Sequence, residues 1–407
     1  MNNKKKKCDV VQIGTTYGIG APGSIIKSVH EYVSQKGMNV RVITPLADQE
    51  SRYSKVHVIE NKLENFIRRA FCKIFGDKDY FYTLNTIKAI KLLKKYKPHI
   101  IHINVIHNSF NTRMLLRYIA KTKAAIIFSL HDMWLLTGGC THYYSAKCDR
   151  FINEKCLNCK KIKELKRVYG DSISDNRVFK EEIIRSLRKV SFHAVSQWVK
   201  TEMQKTYLLE YPITVIYNSV DSNYFYQRNN LYFNKSEYKK YKYFVVGVAA
   251  FWSNAKGLDQ FRKLASILGE EYCVYLVGQK RKEDIISEKN IIIAGRVNDK
   301  NVLAEIYSSA NVFVHLSKEE TFGNVLIEAA SCGKIVVGYS ATGVKEVVQH
   351  VGGVLCEPDN CMEVAEKIKM ICKNNQKLDQ KIIENIKNDF SIDKMVKSYY
   401  ELYLSNM

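Results

Sequence analysis

Apolar runs of strand length recur along this chain, and helix-like amphipathic stretches separate them. CDVVQIG, NVRVITP, HIIHINV, AAIIFSLH, SFHAVS and ITVIYNSV form a first series, with segments such as SIIKSVHEYVSQKG and TLNTIKAIKLLKKY between them. Continuous rather than alternating apolar runs mark strands buried on both faces, as in a parallel sheet covered by crossover helices. The pattern stops between about residues 222 and 241, in the polar, aromatic and basic stretch FYQRNNLYFNKSEYKKY. It then resumes with YFVVGVAAF, LDQFRKLASILG, YCVYLVG, NIIIAGRV, KNVLAEIYSSA, VFVHLS, NVLIEAASCG and KIVVGY. The predicted fold class is therefore α/β, with two tandem Rossmann-like domains. Residues 1–222 form the first, 223–241 a connection, 242–390 the second, and 391–407 a final helix with Ser391 and Asp393 placed to cap it. A length of 407 residues suits two such cores. Open parallel sheets bind ligands at the carboxyl ends of their strands, so two of them facing one another would make a cleft.

Composition removes several functional classes. Hydrophobic residues at 46% and charged residues at 26% describe a globular chain. The opening MNNKKKKCDVVQIG lacks a signal-peptide core, and no uninterrupted apolar run approaches the roughly 18 residues of a membrane span, so a cytoplasmic location is expected. Lysine and arginine total 63 against 41 acids, a formal charge of +22. Zinc-finger, RNP and zipper patterns are missing, so nucleic acid is not an expected partner. Solvated lysine faces account for part of the excess, and an anionic inner membrane surface is the expected partner for the rest. Eleven cysteines in a leaderless chain argue against a disulfide framework.

Gly18 to Gly23, GIGAPG, satisfies G-x-G-x-x-G between a strand and a helix. A dinucleotide site would also place an acid at the end of the second strand. This chain has Thr44, Pro45 and Leu46 there, with Asp48 only later. The glycines are better read as a turn that lets backbone approach an anion near a helix N-terminus, Gly20 and Gly23 being the candidates, or as a plain tight turn.

In EETFGNVLIEAASCG, Glu320 ends a strand-to-helix loop, Phe322 and Gly323 open the helix, and Glu328 shares a face with Asn324. Carboxylates accept from vicinal sugar hydroxyls, and the helix N-terminus between them suits phosphate. The competing reading is an ordinary helix cap with a surface glutamate.

The neighbouring residues decide between the two. E-x7-E, then AxxCG, an apolar strand, a glycine and Glu346 resembles the donor-sugar site of retaining GT-B glycosyltransferases of the large family 4 type. Lys256-Gly257, VIYNSVDSNYF with Ser219 in place of glycine, AVSQWVKTEM and FSIDKMVKSYYELY resemble further segments, over nearly the whole chain. The resemblance implies a GT-B architecture, two Rossmann-like domains with a final helix returning to the first. It also implies a nucleoside-diphosphate sugar donor, no cofactor for catalysis, and a lipid-linked or oligosaccharide acceptor.

By the same resemblance Lys256 grips the diphosphate, and Glu320 and Glu328 hold the donor's sugars, with Phe322, Gly323 and Asn324 between them. His131, in HDMWLLTGGC after a strand, contacts the transferred sugar. Many members carry an arginine where this chain has Phe251, so Arg296 is the candidate second cation. AAFWSNAKG and HDMWLLTGGC are similar to the subgroup found in capsule, exopolysaccharide and O-antigen assembly. No carboxylate is evidently placed as a covalent nucleophile, so front-face substitution, aided by the leaving phosphate, is the expected retaining route.

Cys140, Cys148, Cys156 and Cys159 lie in a C-x7-C-x7-C-x2-C array that could hold a structural zinc, with His142 a competing ligand and free thiols the alternative. Asp77 and Asp79 form a D-x-D better read as a solvated turn than as a metal motif. Two rival functions use the same features: a nucleotide-sugar epimerase of this fold, which needs no acceptor, and a nucleotide- or polyanion-binding scaffold.

Overall fold

The structure, a computed structural model, describes residues 8–48, 55–75, 79–162, 165, 172–229, 231–281, 284 and 286–407, and within them not the side chains of residues 62, 73 and 75. The chain divides into two compact units, residues 1–216 with 396–407, and residues 217–395.

The first unit contains β1 (Val10–Ile13), β2 (Thr16–Tyr17), β3 (Val40–Thr44), β4 (Leu46–Ala47), β5 (Val56–Val58), β6 (Ile100–Ile103), β7 (Ala125–Leu130), β8 (Val190–Ala194) and β9 (Ile213–Val215). Seven of these make a parallel sheet of order β5-β3-β1-β6-β7-β8-β9, and β2 pairs separately with β4. Strands β1, β6 and β7 are buried along their whole length, as their unbroken apolar runs require. The chain leaves β1 toward one edge and returns at β6 toward the other. That reversal opens a crevice at the carboxyl ends of β1 and β6.

Inside this sheet a buried chain of hydrogen bonds reaches the end of the final helix, Ile392–Leu404. Its direction is set by a carbonyl: His193 Nε2–H donates to Ile216 O at 2.9 Å. His193 Nδ1 is then an acceptor, with Ser129 Oγ at 2.8 Å and the Tyr399 hydroxyl at 3.1 Å; Ser129 Oγ also meets His102 Nε2 at 2.7 Å, His102 Nδ1 meets the Tyr403 hydroxyl at 2.6 Å, and Tyr403 accepts from Gln12 Nε2 at 2.9 Å. Burial pushes His102 well below its ordinary value and His193 down to about 3, so both rings stay neutral.

The second unit contains β10 (Tyr243–Phe251), β11 (Tyr272–Gln279), β12 (Ile291–Gly295), β13 (Val312–His315), β14 (Val336–Tyr339) and β15 (Val354–Cys356), in the order β12-β11-β10-β13-β14-β15. Here the reversal lies between β10 and β13, the two central strands.

Residues 223–241, expected to be a connection, pack within this unit instead. Phe233 stacks on Phe244 with centroids 4.1 Å apart, and the Tyr232 and Tyr275 hydroxyls meet at 3.0 Å. Aromatic residues spaced through a basic stretch give it a core of its own, and the division falls at Ile216 instead. Strand β9 is also shorter than the apolar run ITVIYNSV. Asn218 and Val220, in its second half, turn to the second unit's own partners, Asn324 and Phe390. Ser391 does cap the final helix, accepting from the Lys394 amide at 3.2 Å.

Candidate functional site

The central reversal of the second sheet gathers three loops. After β10 the chain makes a short turn, Asn254–Lys256, and Gly257 takes φ +82°. A Cβ at Gly257 would lie 2.4 Å from Leu316 O, so the Lys-Gly pair can pass the end of β13 only without a side chain. Ser317 Oγ donates to Ala255 O at 3.2 Å and joins the two loops. After β14, the Gly343 amide donates to Glu320 O at 3.0 Å, and a Cβ on Gly343 would meet Thr321 O at 2.2 Å.

These contacts place Lys256 Nζ 2.5 Å from Glu320 Oε1. His315, from the end of β13, brings Nε2 to 3.6 Å from the same oxygen. Burial would raise the Glu320 carboxyl, but the Lys256 charge and the His315 and Lys256 hydrogens outweigh it and hold the group well below the usual carboxylate range. Glu320 is an anion that aims a lysine. Thr342 Oγ1 is buried here without a hydrogen-bond partner, which gives the crevice a polar atom that its own chain does not satisfy.

Gly323, at φ +95°, starts the helix Asn324–Ser331. Asn324 Oδ1 accepts from Asn218 Nδ2 at 2.9 Å. One turn on, Glu328 Oε2 accepts from the Tyr307 hydroxyl at 3.0 Å, and burial pushes this carboxyl up to about 7. The two glutamates thus differ in charge state at neutral pH, one fully ionised and one near its midpoint. The Phe322 ring is 1% exposed and lies against Tyr217 and Phe390, so at this position only backbone faces the loop. Arg296 is exposed just past β12, two strands from β10, about 10 Å across the sheet.

In the first unit the helix begins at Gly20, φ +65°, and a Cβ there would meet nothing within 4 Å. Gly23 lies inside that helix, where a Cβ would sit 2.5 Å from Thr16 Oγ1. His131 follows β7, with Nε2 donating to Asn104 Oδ1 at 3.2 Å, and burial lowers it to about 4 against the opposing charge of Asp132. Asp132 accepts from the Trp134 amide at 2.9 Å and from His107 Nε2 at 2.8 Å.

Two family models match consecutive stretches of the chain, glycosyltransferase family 4 at residues 23–224 and glycosyl transferases group 1 at residues 229–389. The chain belongs to the GT-B glycosyltransferases of the family 4 type. It is 27% identical over 205 residues to N-acetyl-alpha-D-glucosaminyl L-malate synthase of Bacillus anthracis, 47% of this chain and 53% of that protein. It therefore spans about half the length of that curated relative. A putative colanic acid biosynthesis glycosyl transferase, WcaC of Escherichia coli, is 19% identical over 375 residues, 89% of this chain and 90% of the relative. Anabaena HepE in complex with UDP and glucose superposes with a TM-score of 0.68 at 17% identity over 98% of this chain and 100% of that one, a likeness of fold.

A structural zinc, one of the two readings of the cysteine array, is not supported. Among the described residues no group of three or more His, Cys, Asp or Glu side chains is placed to hold a metal ion. Cys156 Sγ instead accepts from the Gly138 amide at 3.2 Å, and burial with nearby Cys159 pushes the Cys140 thiol up to about 12. Asp77 lies outside the described residues, and Asp79 accepts from the amide and hydroxyl of Thr112, a helix cap.

Sequence reasoning missed His315, Thr342, Asn104 and Lys180. Lys180 is buried, donates to Trp134 O at 2.5 Å and Thr137 O at 2.7 Å, and stands 3.7 Å over the Trp134 ring, fixing the loop after His131. His315 ends a strand immediately before the loop of Glu320, the one signal that could have flagged it.

Proposed function

We propose that this GT-B protein transfers a sugar from a nucleoside-diphosphate sugar to a lipid-linked or saccharide acceptor in capsule, exopolysaccharide or O-antigen assembly, with retention at the anomeric carbon. The observation that carries the reading is the Lys256–Glu320 pair beside the N-terminus of the helix Asn324–Ser331. Lys256 and the free amides of that helix supply positive charge where a diphosphate leaves, so the stabilisation is electrostatic and preformed, with no divalent ion called for. Glu320 orients Lys256 and, with Glu328, accepts from donor hydroxyls; Gly323 and Asn324 line the phosphate end. Arg296 would reach the diphosphate only after a side-chain swing.

His131 is neutral and donates a hydrogen bond, which suits contact with a sugar hydroxyl rather than proton abstraction. Gly20 and Gly23 supply a close backbone turn. The leaving phosphate then takes the acceptor's proton as the new bond forms on the face it departs. Whole-length likeness to the colanic acid relative supports a polysaccharide setting, and the UDP and glucose held by HepE make UDP-sugars the first donors to test. Among the described residues no helix is long and apolar enough to cross a membrane. We place the work at the inner face of a cell membrane, reached from the cytoplasm.

The test is acceptor-dependent release of nucleoside diphosphate, with the product's anomeric configuration read by NMR. Release that needs acceptor and gives a retained linkage supports the reading. Isomerised donor without acceptor would support the epimerase instead, and no turnover with any donor the protein binds would favour a scaffold.

A further inference from the structure

A cavity of about 20 Å³ lies at the carboxyl ends of β6 and β7 in the first unit, lined among others by Asn104, His107, Leu130, His131, Asp132 and Trp134. That is room for one water-sized group. Asn104 is 5% exposed, and its backbone amide ties it to β1 by donating to Ile13 O at 2.9 Å. Its Oδ1 accepts from His131, while Nδ2 is buried with no hydrogen-bond partner. A buried amide nitrogen with idle hydrogens calls for an oxygen.

His107 rides on the turn that follows β6, closed by the Phe110 amide donating to Ile106 O at 3.2 Å, with Asn108 at φ +58°. Its ring is held firmly. Nε2 gives its hydrogen to Asp132 Oδ2 at 2.8 Å, and the Trp134 ring lies 5.5 Å away at 33°, with the Lys180 ammonium 3.7 Å over that ring in turn. Asp132 is fixed as well, because its other oxygen accepts from the Trp134 amide at 2.9 Å. Burial would raise the Asp132 carboxyl, but His107 and the Trp134 amide hydrogen outweigh it and lower the group, so the oxygen facing His107 is anionic. With the Nε2 hydrogen committed to that oxygen, Nδ1 is the ring nitrogen left to accept, and it has no hydrogen bond among the described residues.

A cavity the size of one group thus offers a donor, Asn104 Nδ2, and an acceptor, His107 Nδ1. A hydroxyl satisfies both at once. Phosphate and carboxylate are too large for the room and bring no hydrogen for Nδ1. We propose that Asn104 and His107 bind one hydroxyl of a saccharide acceptor, and that Asp132 positions His107 to do so. Calling the ligand an acceptor rests on the proposed transfer reaction: the cation for the donor, Lys256, stands in the second unit, so the sugar read in the first unit is the one that receives. The reacting end of the acceptor is then a sugar ring and not a bare lipid phosphate.

The test is saturation-transfer NMR of the full chain with methyl glycosides of glucose, galactose and their 2-acetamido derivatives, then titration of the best binder and its monodeoxy analogues. At least one glycoside should bind, and removing one particular hydroxyl should weaken it about tenfold, the worth of one buried hydrogen bond. His107→Phe should weaken the parent glycoside by the same factor and be indifferent to that hydroxyl. His107→Asn, whose amide oxygen stands near the place of Nδ1, should keep part of the discrimination. Asp132→Asn keeps the shape, but its one oxygen stays with the Trp134 amide and its N–H turns to His107 Nε2. Nδ1 then carries the ring hydrogen, and hydroxyl discrimination should vanish in a protein that still melts cooperatively. Long-range nitrogen–proton NMR reads the tautomer directly, with a bare Nδ1 in the wild type and a bare Nε2 in Asp132→Asn.

No saturation transfer to any glycoside, or the same hydroxyl dependence in His107→Phe as in the wild type, would overturn the proposal and leave the cavity to a structural water. So would a bare His107 Nε2 in the wild type. A His107→Phe variant that loses affinity for nucleotide sugar but not for the glycoside would overturn it too, since the hydroxyl would then belong to the transferred sugar. Glycoside binding that depends on His107 in a protein that binds no nucleotide sugar would strike the proposed reaction and leave the hydroxyl site standing.

Discussion

Lys256 Nζ lies 2.5 Å from Glu320 Oε1, and the backbone that brings them together passes through a glycine that tolerates no side chain. The pair aims a cation into the crevice and leaves two of its ammonium hydrogens for another anion.

If that cation meets the departing diphosphate, Lys256→Ala should lower kcat by about 10²- to 10³-fold while the melting midpoint stays near the wild type. Glu320→Gln should lower activity through the same lysine. The double variant should therefore lose less than the product of the two single losses, because residues in one contact are not additive. A multiplicative result would show the two acting separately.

The Glu328 carboxyl, raised by burial to about 7 from an ordinary 4.5, has an opposite pH signature. A raised acid contributes stability that is full below pH 4.5 and is lost as pH rises through about 7. Glu328→Gln should remove that dependence, leaving the unliganded protein as stable as the wild type or more so at pH 8. It should also weaken donor binding at pH 8 by tenfold or more, since an amide offers one acceptor oxygen in place of two. Calorimetry with and without nucleotide sugar separates the two effects.

Glycine substitutions should divide by what surrounds them. Gly257→Ala faces both φ +82° and the Leu316 carbonyl, and should cost about 1–3 kcal/mol in urea unfolding of the second unit. Gly20→Ala meets open space and should cost only its left-handed backbone strain, about 1–2 kcal/mol. Equal costs would mean that the packing at Leu316 relaxes freely.

The neutral histidines of the first unit predict its acid sensitivity. Burial lowers His131 to about 4 and His193 to about 3 from an ordinary 6.5, and His102 well below it. Groups with lowered values contribute stability that is full above pH 6.5 and is lost as pH falls toward the folded values. The melting midpoint should therefore fall steadily from pH 7 to pH 5. Tyr403→Phe, which strips the hydroxyl shared by His102 and Gln12, should cost about 1–3 kcal/mol at pH 7.

The architecture was legible because parallel strands buried on both faces leave unbroken apolar runs, and β1, β6, β7, β10 and β13 fall where those runs lie. The division between units was not, since the aromatic residues of 223–241 look like a polar connection until Phe233 is seen stacked on Phe244. At the site, spacing marked Glu320, Glu328 and Lys256 as candidates. It could not show that Lys256 and Glu320 pair, because contacts between residues 256 and 320 depend on two loops packing through Gly257. Nor could it reveal His315, which matters through its approach to Glu320, or Thr342, which is buried without a partner. The cysteine array could mislead for the reverse reason: spacing says nothing of where each thiol turns, and Cys156 turns to a backbone amide.

The most direct measurement is a thermal-shift titration of the purified protein with UDP-, GDP-, ADP- and dTDP-sugars, run beside Lys256→Ala and Glu328→Gln. A ligand that binds only the folded state raises the midpoint with the logarithm of its concentration. The account predicts that one nucleotide sugar does so in the wild type and that both variants lose most of the response. A folded protein whose midpoint moves with none of them, or variants that respond as fully as the wild type, would contradict it.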